Sequence, residues 1–387
     1  MIFNHHVDDA LPNKVFNHDL TDAADSNSYL QNSAEEESGG KTIAEKLGLM
    51  NYPGRVLGST YPTDILQLHP NLKKHWDWVR EHYARCGISH SDQIIWDDNP
   101  AVMASYMQYE PSVFLFGERS HTARPDQRWF DIVQEMNSKN SFIQLCDKLG
   151  IQTPKTWIFE CKREIIDLKM FPFPVYLKIA VSVSGLGVVC CNDVDELELQ
   201  LERIDEGIPL QIQQSVDAFS FLNLQYRKNG KLERVAATEQ VLKGCCHAGN
   251  AFPTKHQPWN ITDQVADYMV QQGMKGYFAF DIAVCKDGNS YKYYLIECNP
   301  RYNGSSYPTN IARKLGASEW IAKKVDTSVT SFSGIDLGDV EYDRHTKQGA
   351  VIVNWGCIEQ QELGVLLVAP TYAQQMDIGD RLSVIVN

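Results

Sequence analysis

The sequence predicts a mixed α/β fold, because segments with helical periodicity alternate with short runs rich in β-branched and aromatic residues. The most distinct run is a β-hairpin whose arms span 276–285 and 291–298 around the turn Lys286–Ser290. The most distinct helix follows a serine-led start at 138–140 and has Gly150 directly after its last residue. A chain of 387 residues is long enough for two or three domains with a sizeable core.

Composition excludes several classes of protein. The formal net charge of −13 argues against nucleic acid as a partner, and no apolar run approaches membrane-spanning length. The ten cysteines include no CxxC pair, so we expect reduced thiols and a cytoplasmic location. We therefore expect small-molecule partners, and a homodimer is one assembly that we consider.

The predicted domain organisation follows changes in composition along the chain. Residues 1–40 carry eight acidic residues and one lysine, which predicts a flexible acidic segment. A helix over 72–86 and two short strands predict a small α/β domain over 41–138. Residues 139–320 contain the hairpin and the motifs described below. Residues 321–387 predict a β-containing segment that packs on this region.

The hairpin places several oxygen-bearing side chains on one face. Side chains alternate along a strand, so a turn with an odd number of residues would put Asp281 across from Glu297. Asn299 follows two residues later, and Arg301 and Asn303 project from the loop beyond. Two adjacent carboxylates repel unless a cation lies between them, and oxygen ligands suit Mg²⁺ held together with phosphates. The hairpin therefore predicts a magnesium–phosphate site that binds Mg²⁺ or Mn²⁺.

A lysine and a glycine-serine loop form a second candidate site. Lys178 lies in the middle of the predicted strand 175–179, where a cation needs an anionic or acceptor partner. The segment that follows contains Ser184, Gly185, Leu186 and Gly187, whose small residues would expose backbone N–H groups to phosphate oxygens. No GKS or GKT sequence occurs, so this is not a Walker A loop.

The remaining elements predict a scaffold of strands and helices around these sites. Further strands are predicted at 156–159, 209–213, 219–226, 232–242, 348–354 and 364–368. Further helices are predicted at 193–204, 261–273 and 306–315. A glycine-rich loop is predicted at Gly244–Pro253, and it contains His247. This histidine is a candidate base or substrate contact, but a single loop histidine more often has neither role.

The order and spacing of these motifs resemble the ATP-grasp superfamily. The matching stretches are SKNSFIQLCDKLGIQTPKT, VYLKIAVSVSGLGVV, LQIQQSV and FDIAV…YLIECNPRYNG, which together extend over residues 139–315. The resemblance implies an ATP-grasp fold with a smaller N-terminal domain, and it implies ATP and Mg²⁺ as cofactors. Residues 41–138 and the tail GAVIVNWGCIEQ…LGVLLVAP look similar to amino-acid ligases and to peptide ligases of the pheganomycin type.

The resemblance also implies roles for individual residues. Nucleotide contacts fall on Lys139, Lys178, the loop 184–187, and the hinge residues Gln213, Gln214, Val216 and Asp217. Metal ligands fall on Asp281, Glu297 and Asn299. Arg301 and Lys178 are the implied catalytic residues, and substrate contacts fall on His247, Arg301 and Asn303. The family often has a glutamate for the ribose a few residues after the hinge, and here only Asp217 is available to replace it.

Three functions are compatible with this sequence. The first is an ATP-dependent carboxylate–amine ligase that forms an amide or peptide bond through an acyl phosphate and releases ADP and phosphate. The second is a regulatory protein that binds ATP without turnover. The third is a carboxylating enzyme resembling biotin carboxylase, although no Met-Lys-Met biotin-attachment motif occurs.

Overall fold

The computed structural model describes residues 12–26, 48–182, 187–244 and 246–387, which form three β-sheets with flanking helices. Helices and strands alternate along the chain, so the predicted mixed α/β fold class is confirmed. Within the described part of the chain, no helix combines the length and apolar character needed to cross a membrane.

The N-terminal sheet is parallel, with the strand order β3-β2-β1-β4. Its strands are β1 Lys14–Asn17, β2 Ile65–Gln67, β3 Ile94–Ile95 and β4 Glu110–Val113. Its helices are α1 Thr21–Asp25, α2 Trp76–Cys86, α3 Glu118–Ala123 and α4 Gln127–Asn137. Three 3₁₀ helices, Leu49–Ser59, Pro70–His75 and Pro100–Tyr106, complete this part of the molecule.

Part of the predicted flexible segment 1–40 is an inner strand, which corrects that prediction for residues 14–25. β1 pairs with β2 on one side and β4 on the other, and Val15 is fully buried. The sequence KVFN is too short to show a period, and the surrounding acidic residues obscured it. The stretches 1–11 and 27–40 lie outside the described residues.

The middle sheet is antiparallel, with the order β5-β8-β6-β7, and it has its own apolar core. Its strands are β5 Thr156–Phe159, β6 Val175–Ile179, β7 Val188–Cys191 and β8 Leu210–Gln214. Its helices are α5 Lys139–Leu149 and α6 Val194–Glu202. Ser138 caps the start of α5, and Gly150 adopts the left-handed conformation at its end, as the sequence predicts.

The largest sheet has eight antiparallel strands in the order β13-β12-β9-β10-β11-β14-β16-β15. The strands are β9 Ala218–Asn229, β10 Lys231–Lys243, β11 Cys246–Phe252, β12 Gly276–Asp287, β13 Ser290–Asn299, β14 Trp320–Asp326, β15 Gly349–Asn354 and β16 Glu362–Val368. The helices are α7 Trp259–Gln272, α8 Ser306–Leu315 and α9 Tyr372–Ile385. The segment predicted as the loop Gly244–Pro253 is therefore mostly β11, which pairs with β10 and β14.

The predicted domain boundaries fall at identifiable points of this architecture. The boundary at 138/139 coincides with the start of α5. The boundary at 320/321 falls inside β14, so residues 321–387 extend the large sheet by strand pairing. One continuous apolar core includes Val15 of the N-terminal sheet, Phe280 of the hairpin and Leu366 of the C-terminal strands.

The hairpin of β12 and β13 pairs Asp281 with Glu297 as predicted, but a β-bulge and not the length of the turn produces this register. Its turn holds two residues, Gly288 and Asn289, because Asp287 pairs with Ser290. Continued without interruption, that register would place Asp281 opposite Ile296. A β-bulge at Ile296 shifts the register by one residue and brings Glu297 opposite Asp281.

Candidate active site

A cavity of about 670 Å³ collects most of the predicted site residues. Its walls come from the N-terminal domain, the middle sheet and the large sheet. The predicted residues that line it are Lys139, Lys178, Gln213, Gln214, Val216, His247, Asp281, Glu297, Asn299, Arg301 and Asn303. Concave sites at the junction of several structural units are typical of small-molecule binding.

Asp281 is held by amide groups from three strands. Its Oδ1 accepts hydrogen bonds from Asn223 Nδ2 at 2.7 Å and Gln240 Nε2 at 2.6 Å, and its Oδ2 accepts one from Asn299 Nδ2 at 3.0 Å. Burial and the neighbouring Glu297 carboxylate raise the pKa of Asp281 to about 7. The carboxyl group is thus fixed in place at a position where a negative charge is costly.

Glu297 is surrounded by cations. Burial raises the pKa of its carboxyl group, but three neighbouring cations outweigh this effect and leave the pKa below its usual value. These cations are Lys139, Lys178 and Arg301. The Lys139 Nζ lies 3.4 Å from Glu297 Oε2. The two carboxyl groups of the hairpin therefore have different surroundings. Asp281 lies beside the Glu297 carboxylate, and Glu297 lies beside the three cations.

The two lysines are positioned by the middle sheet. The Lys178 Nζ donates a hydrogen bond of 2.7 Å to Gln213 Oε1, and Gln213 Nε2 donates one of 2.9 Å to Thr156 Oγ1. Lys139 Nζ donates to Ser182 Oγ at 2.9 Å, and its backbone N–H donates to the Ala180 carbonyl at 2.7 Å. Both lysines are buried, so their charges act at short range within the cavity.

Arg301 is buried where the loop after β13 meets the N-terminal domain. Its Nη1 donates a hydrogen bond of 3.0 Å to Asn137 Oδ1 at the end of α4. Its guanidinium carbon lies 5.9 Å from the centroid of the Phe114 ring. These contacts hold the cation beside the carboxylate pair, where it can neutralise a phosphoryl group.

The predicted substrate contacts His247 and Asn303 also face the cavity. His247 Nε2 lies 2.6 Å from Asn250 Oδ1, and burial lowers the pKa of this histidine. Asn303 Oδ1 accepts hydrogen bonds from the N–H and the hydroxyl of Ser305, both at 2.9 Å. Its Nδ2 is buried and has no hydrogen-bond partner among the described residues. This amide is oriented by the loop and keeps one donor available.

The cavity lining does not account for every predicted nucleotide contact within the described residues. Ser184, Gly185 and Leu186 lie outside the described residues, and Gly187 follows them in the left-handed conformation, with φ of 73°. Asp217 is exposed and lies beyond the residues that line the cavity. The predicted ribose contact by Asp217 therefore has no support in this geometry.

Several residues that position the site were not predicted from the sequence. Asn223 and Gln240 hold Asp281, and Asn137 holds Arg301. Asn223 carried a detectable signal, because a polar residue interrupts the apolar run FSFLNLQY of β9. Arg55, which lines the cavity from a 3₁₀ helix, carried none.

The donor set fits a divalent cation. Asp281, Glu297 and Asn299 offer oxygen atoms, which Mg²⁺ and Mn²⁺ prefer. The raised pKa of Asp281 reflects burial and repulsion from Glu297, which a cation between the two carboxylates would offset. A 180° rotation of the Asn299 amide would present its oxygen to the same point. These three residues would hold the metal, together with phosphate oxygens.

Sequence comparison finds limited likeness to known proteins. No family model matches the chain. It is 23% identical over 187 residues to the carbamoyl phosphate synthase large chains of two strains of Thermus thermophilus. The matched region is 44% of this chain, and it spans only 18% of those relatives.

Structural comparison gives matches over nearly the whole chain. N5-carboxyaminoimidazole synthetase from Staphylococcus aureus, solved with ADP, superposes with a TM-score of 0.58 at 10% identity and covers 96% of this chain and 97% of its own. The Aspergillus clavatus enzyme, solved with ADP and 5-aminoimidazole ribonucleotide, gives 0.55 at 12% identity, with 97% and 99% covered. The Thermotoga maritima enzyme gives 0.53 at 13% identity, with 96% and 97% covered.

These matches define the class of fold. The chain has the ATP-grasp fold, including the smaller N-terminal domain, as its sequence motifs predict. Likeness at such low identity establishes the fold alone. The narrower resemblance to peptide ligases of the pheganomycin type stays a prediction.

Proposed function

We propose that this protein is an ATP-dependent carboxylate–amine ligase. The observation that carries the proposal is the pairing of Asp281 with Glu297 beside Lys139, Lys178 and Arg301 in one cavity. Opposite charges concentrated at one point suit the binding and transfer of a phosphoryl group. The S. aureus and A. clavatus enzymes with the same fold were solved with ADP, which supports a nucleotide in this cavity.

The proposed reaction has two steps. An oxygen of the substrate carboxylate attacks the γ-phosphorus of ATP, and the bond to ADP breaks to leave an acyl phosphate. The amine nitrogen then attacks the acyl carbon and gives up one proton to solvent, and inorganic phosphate leaves with one oxygen of the original carboxylate. No protein nucleophile is needed, so the chain contributes positioning and charge neutralisation.

Several groups in the cavity have assigned roles in this proposal. Lys139 and Lys178 bind the nucleotide phosphates, with Lys178 held by Gln213 close to the hinge. Gln214 and Val216 line the wall where the adenine binds. Arg301 stabilises the transferring phosphoryl group and the acyl phosphate. A magnesium ion at Asp281, Glu297 and Asn299 supplies additional charge neutralisation when it is bound.

We propose an amino acid or a peptide as the acid and an amino acid as the amine. The support is the sequence resemblance of residues 41–138 and of the C-terminal strands to amino-acid ligases. A second candidate for the acid is bicarbonate. The names of the relatives and structural neighbours favour bicarbonate. A carbamoyl group and a carboxyamino group each contain one carboxyl-type carbon bonded to nitrogen, which bicarbonate could supply.

An ADP-release screen tests this proposal. Purified protein with MgATP is assayed over pairs of amino acids and over bicarbonate with amines, and mass spectrometry identifies the product. Glu297→Gln is the inactive comparison and the exposed Glu319→Gln is the matched control. We expect ADP and phosphate only when acid and amine are both present. Nucleotide binding without ADP release under every mixture would instead support the regulatory alternative.

A further inference from the structure

The cavity contains an arginine to which the proposed reaction assigns no role. Arg55 belongs to the 3₁₀ helix Leu49–Ser59 and lines the cavity wall. Its guanidinium carbon lies 4.4 Å from the Tyr307 ring centroid, 5.0 Å from that of Phe114 and 5.3 Å from that of Tyr52. Aromatic faces on three sides fix the orientation of this side chain.

Arg55 is half-buried and forms no ion pair within the described part of the chain. Among the described residues, no carboxylate oxygen lies within 4 Å of its guanidinium group. Its charge acts on Arg301, whose guanidinium carbon lies 5.9 Å from the same Phe114 ring centroid, and on His247, whose pKa it helps to lower. The positive charge of Arg55 disfavours the protonated forms of Arg301 and His247. An anion bound beside Arg55 would offset this repulsion.

Three polar atoms of cavity residues are buried without a hydrogen-bond partner in the described structure. They are Arg55 Nε, Asn303 Nδ2 and Asn354 Oδ1. The amide of Asn354 is oriented by a contact of 3.1 Å from its Nδ2 to Cys357 Sγ, and Cys357 lies within electrostatic reach of Arg55. Buried polar groups are normally satisfied, so three unpartnered polar atoms on residues that line one cavity indicate a ligand that completes them once it is bound.

We propose that Arg55 is a substrate-binding residue that holds an oxyanion of the substrate, a carboxylate or a phosphate monoester. Asn303 is the second donor to that ligand, and Asn354 accepts a hydrogen bond from a neighbouring donor group of the same molecule. This oxyanion is additional to the phosphoryl group that Arg301 serves. The inference rests on the proposed function and narrows its substrate to a molecule that carries a fixed second anionic group.

Thermal unfolding with probe anions tests this assignment. The proposed nucleotide site is first saturated with Mg²⁺ and β,γ-imido-ATP. The protein is then titrated with ribose 5-phosphate or with succinate. The variants are Arg55→Met, Arg55→Lys and the control Arg203→Met, since Arg203 is an exposed arginine that follows α6. The concentration of probe that stabilises each variant gives its affinity.

We expect at least one probe to stabilise wild type and Arg203→Met alike. In Arg55→Met its affinity falls roughly 10- to 100-fold, the range for lost hydrogen bonds to a charged group, and Arg55→Lys recovers part of it. Preference for ribose 5-phosphate or for succinate identifies phosphate or carboxylate as the source. Equal affinity in Arg55→Met, or no stabilisation of wild type by either probe, would overturn the proposal. Failure of the nucleotide analogue to bind would count against the proposed function instead, because nucleotide and probe are titrated separately.

Discussion

Asp281 and Glu297 lie directly opposite each other on neighbouring strands, although the two-residue turn between those strands would by itself pair Asp281 with Ile296. The bulge at Ile296 is therefore the feature that brings the two carboxylates together. Bulges next to active sites commonly re-aim a side chain in this way. The site depends on one extra residue in β13.

Glu297→Gln tests the role of the hairpin carboxylates. The substitution keeps the size of the side chain but removes the charge beside Lys139. We expect ligase turnover to fall by roughly 10²–10³-fold, as for loss of a preorganised electrostatic contact. We expect urea unfolding to show a loss of about 2 kcal/mol in the free energy of unfolding, because the neighbouring cations lose a charged partner. Wild-type turnover in Glu297→Gln would contradict the assignment of Glu297 as a metal ligand. The control Glu319→Gln should behave as wild type.

Arg301→Lys separates chemistry from nucleotide binding. The lysine keeps a positive charge, but it lacks the planar guanidinium that contacts Asn137 and that suits a phosphoryl group. We expect ATP affinity within about tenfold of wild type and a turnover lower by about 10²-fold. Isothermal titration with MgATP and single-turnover assays measure the two quantities. Weaker ATP binding with unchanged turnover at saturating ATP would assign Arg301 to nucleotide binding alone.

Isotope transfer tests the acyl phosphate. A substrate carboxylate labelled with ¹⁸O should transfer one labelled oxygen to the released phosphate, because that oxygen attacks the γ-phosphorus. Mass spectrometry of the phosphate measures the label, and unlabelled acid in labelled water is the control. AMP and pyrophosphate as products would indicate adenylation and would overturn the mechanism while leaving the fold intact.

Acid should weaken the contact between α2 and the C-terminal segment. The Glu341 carboxylate accepts hydrogen bonds from Arg85 and from His82 Nδ1, while the opposite ring nitrogen of His82 accepts the Ile352 N–H at 3.0 Å. Burial raises the pKa of Glu341, but the bonds from His82 and Arg85 outweigh it and lower the pKa to about 2. The stabilisation is therefore present above the unfolded pKa of 4.5 and is lost as pH falls toward 2.

Glu341→Gln measures this contribution. We expect a loss of about 2 kcal/mol at pH 7, typical of hydrogen bonds to a charged group, and a smaller difference from wild type at pH 3. Urea unfolding at both pH values provides the comparison, with the exposed Asp77→Asn on α2 as the control. A difference that does not depend on pH would show that charge is not the source of the stabilisation.

Val15→Asp tests the strand found within the N-terminal segment. Val15 is fully buried between two neighbouring strands, so an aspartate there places an uncompensated charge in the core. We expect a loss of about 3–5 kcal/mol in the free energy of unfolding. Asn13→Asp, at an exposed position beside the strand, should have little effect. Unchanged stability in Val15→Asp would restore the prediction of a dispensable segment.

Elements with a strong local pattern were predictable from the sequence. The strands β5 and β6 and the helix α8 have the predicted bounds. Local signals were sufficient there, because the apolar period and the capping residues agree with the final packing. β1 and β11 were missed, since four residues show no period and a glycine-rich strand resembles a loop.

The sequence by itself determined the hairpin, the alternation of its faces and the residue types that suit phosphoryl chemistry, because these depend on neighbours along the chain. Only the tertiary structure decided that Asp281 meets Glu297 through a bulge, that Asp217 is exposed and does not line the cavity, and that Arg55 lines it. The physical reason is that such placements depend on strand pairing and on packing between residues far apart in sequence. Arg55 illustrates this dependence, since two of the three rings around it, those of Phe114 and Tyr307, belong to residues far from it in sequence.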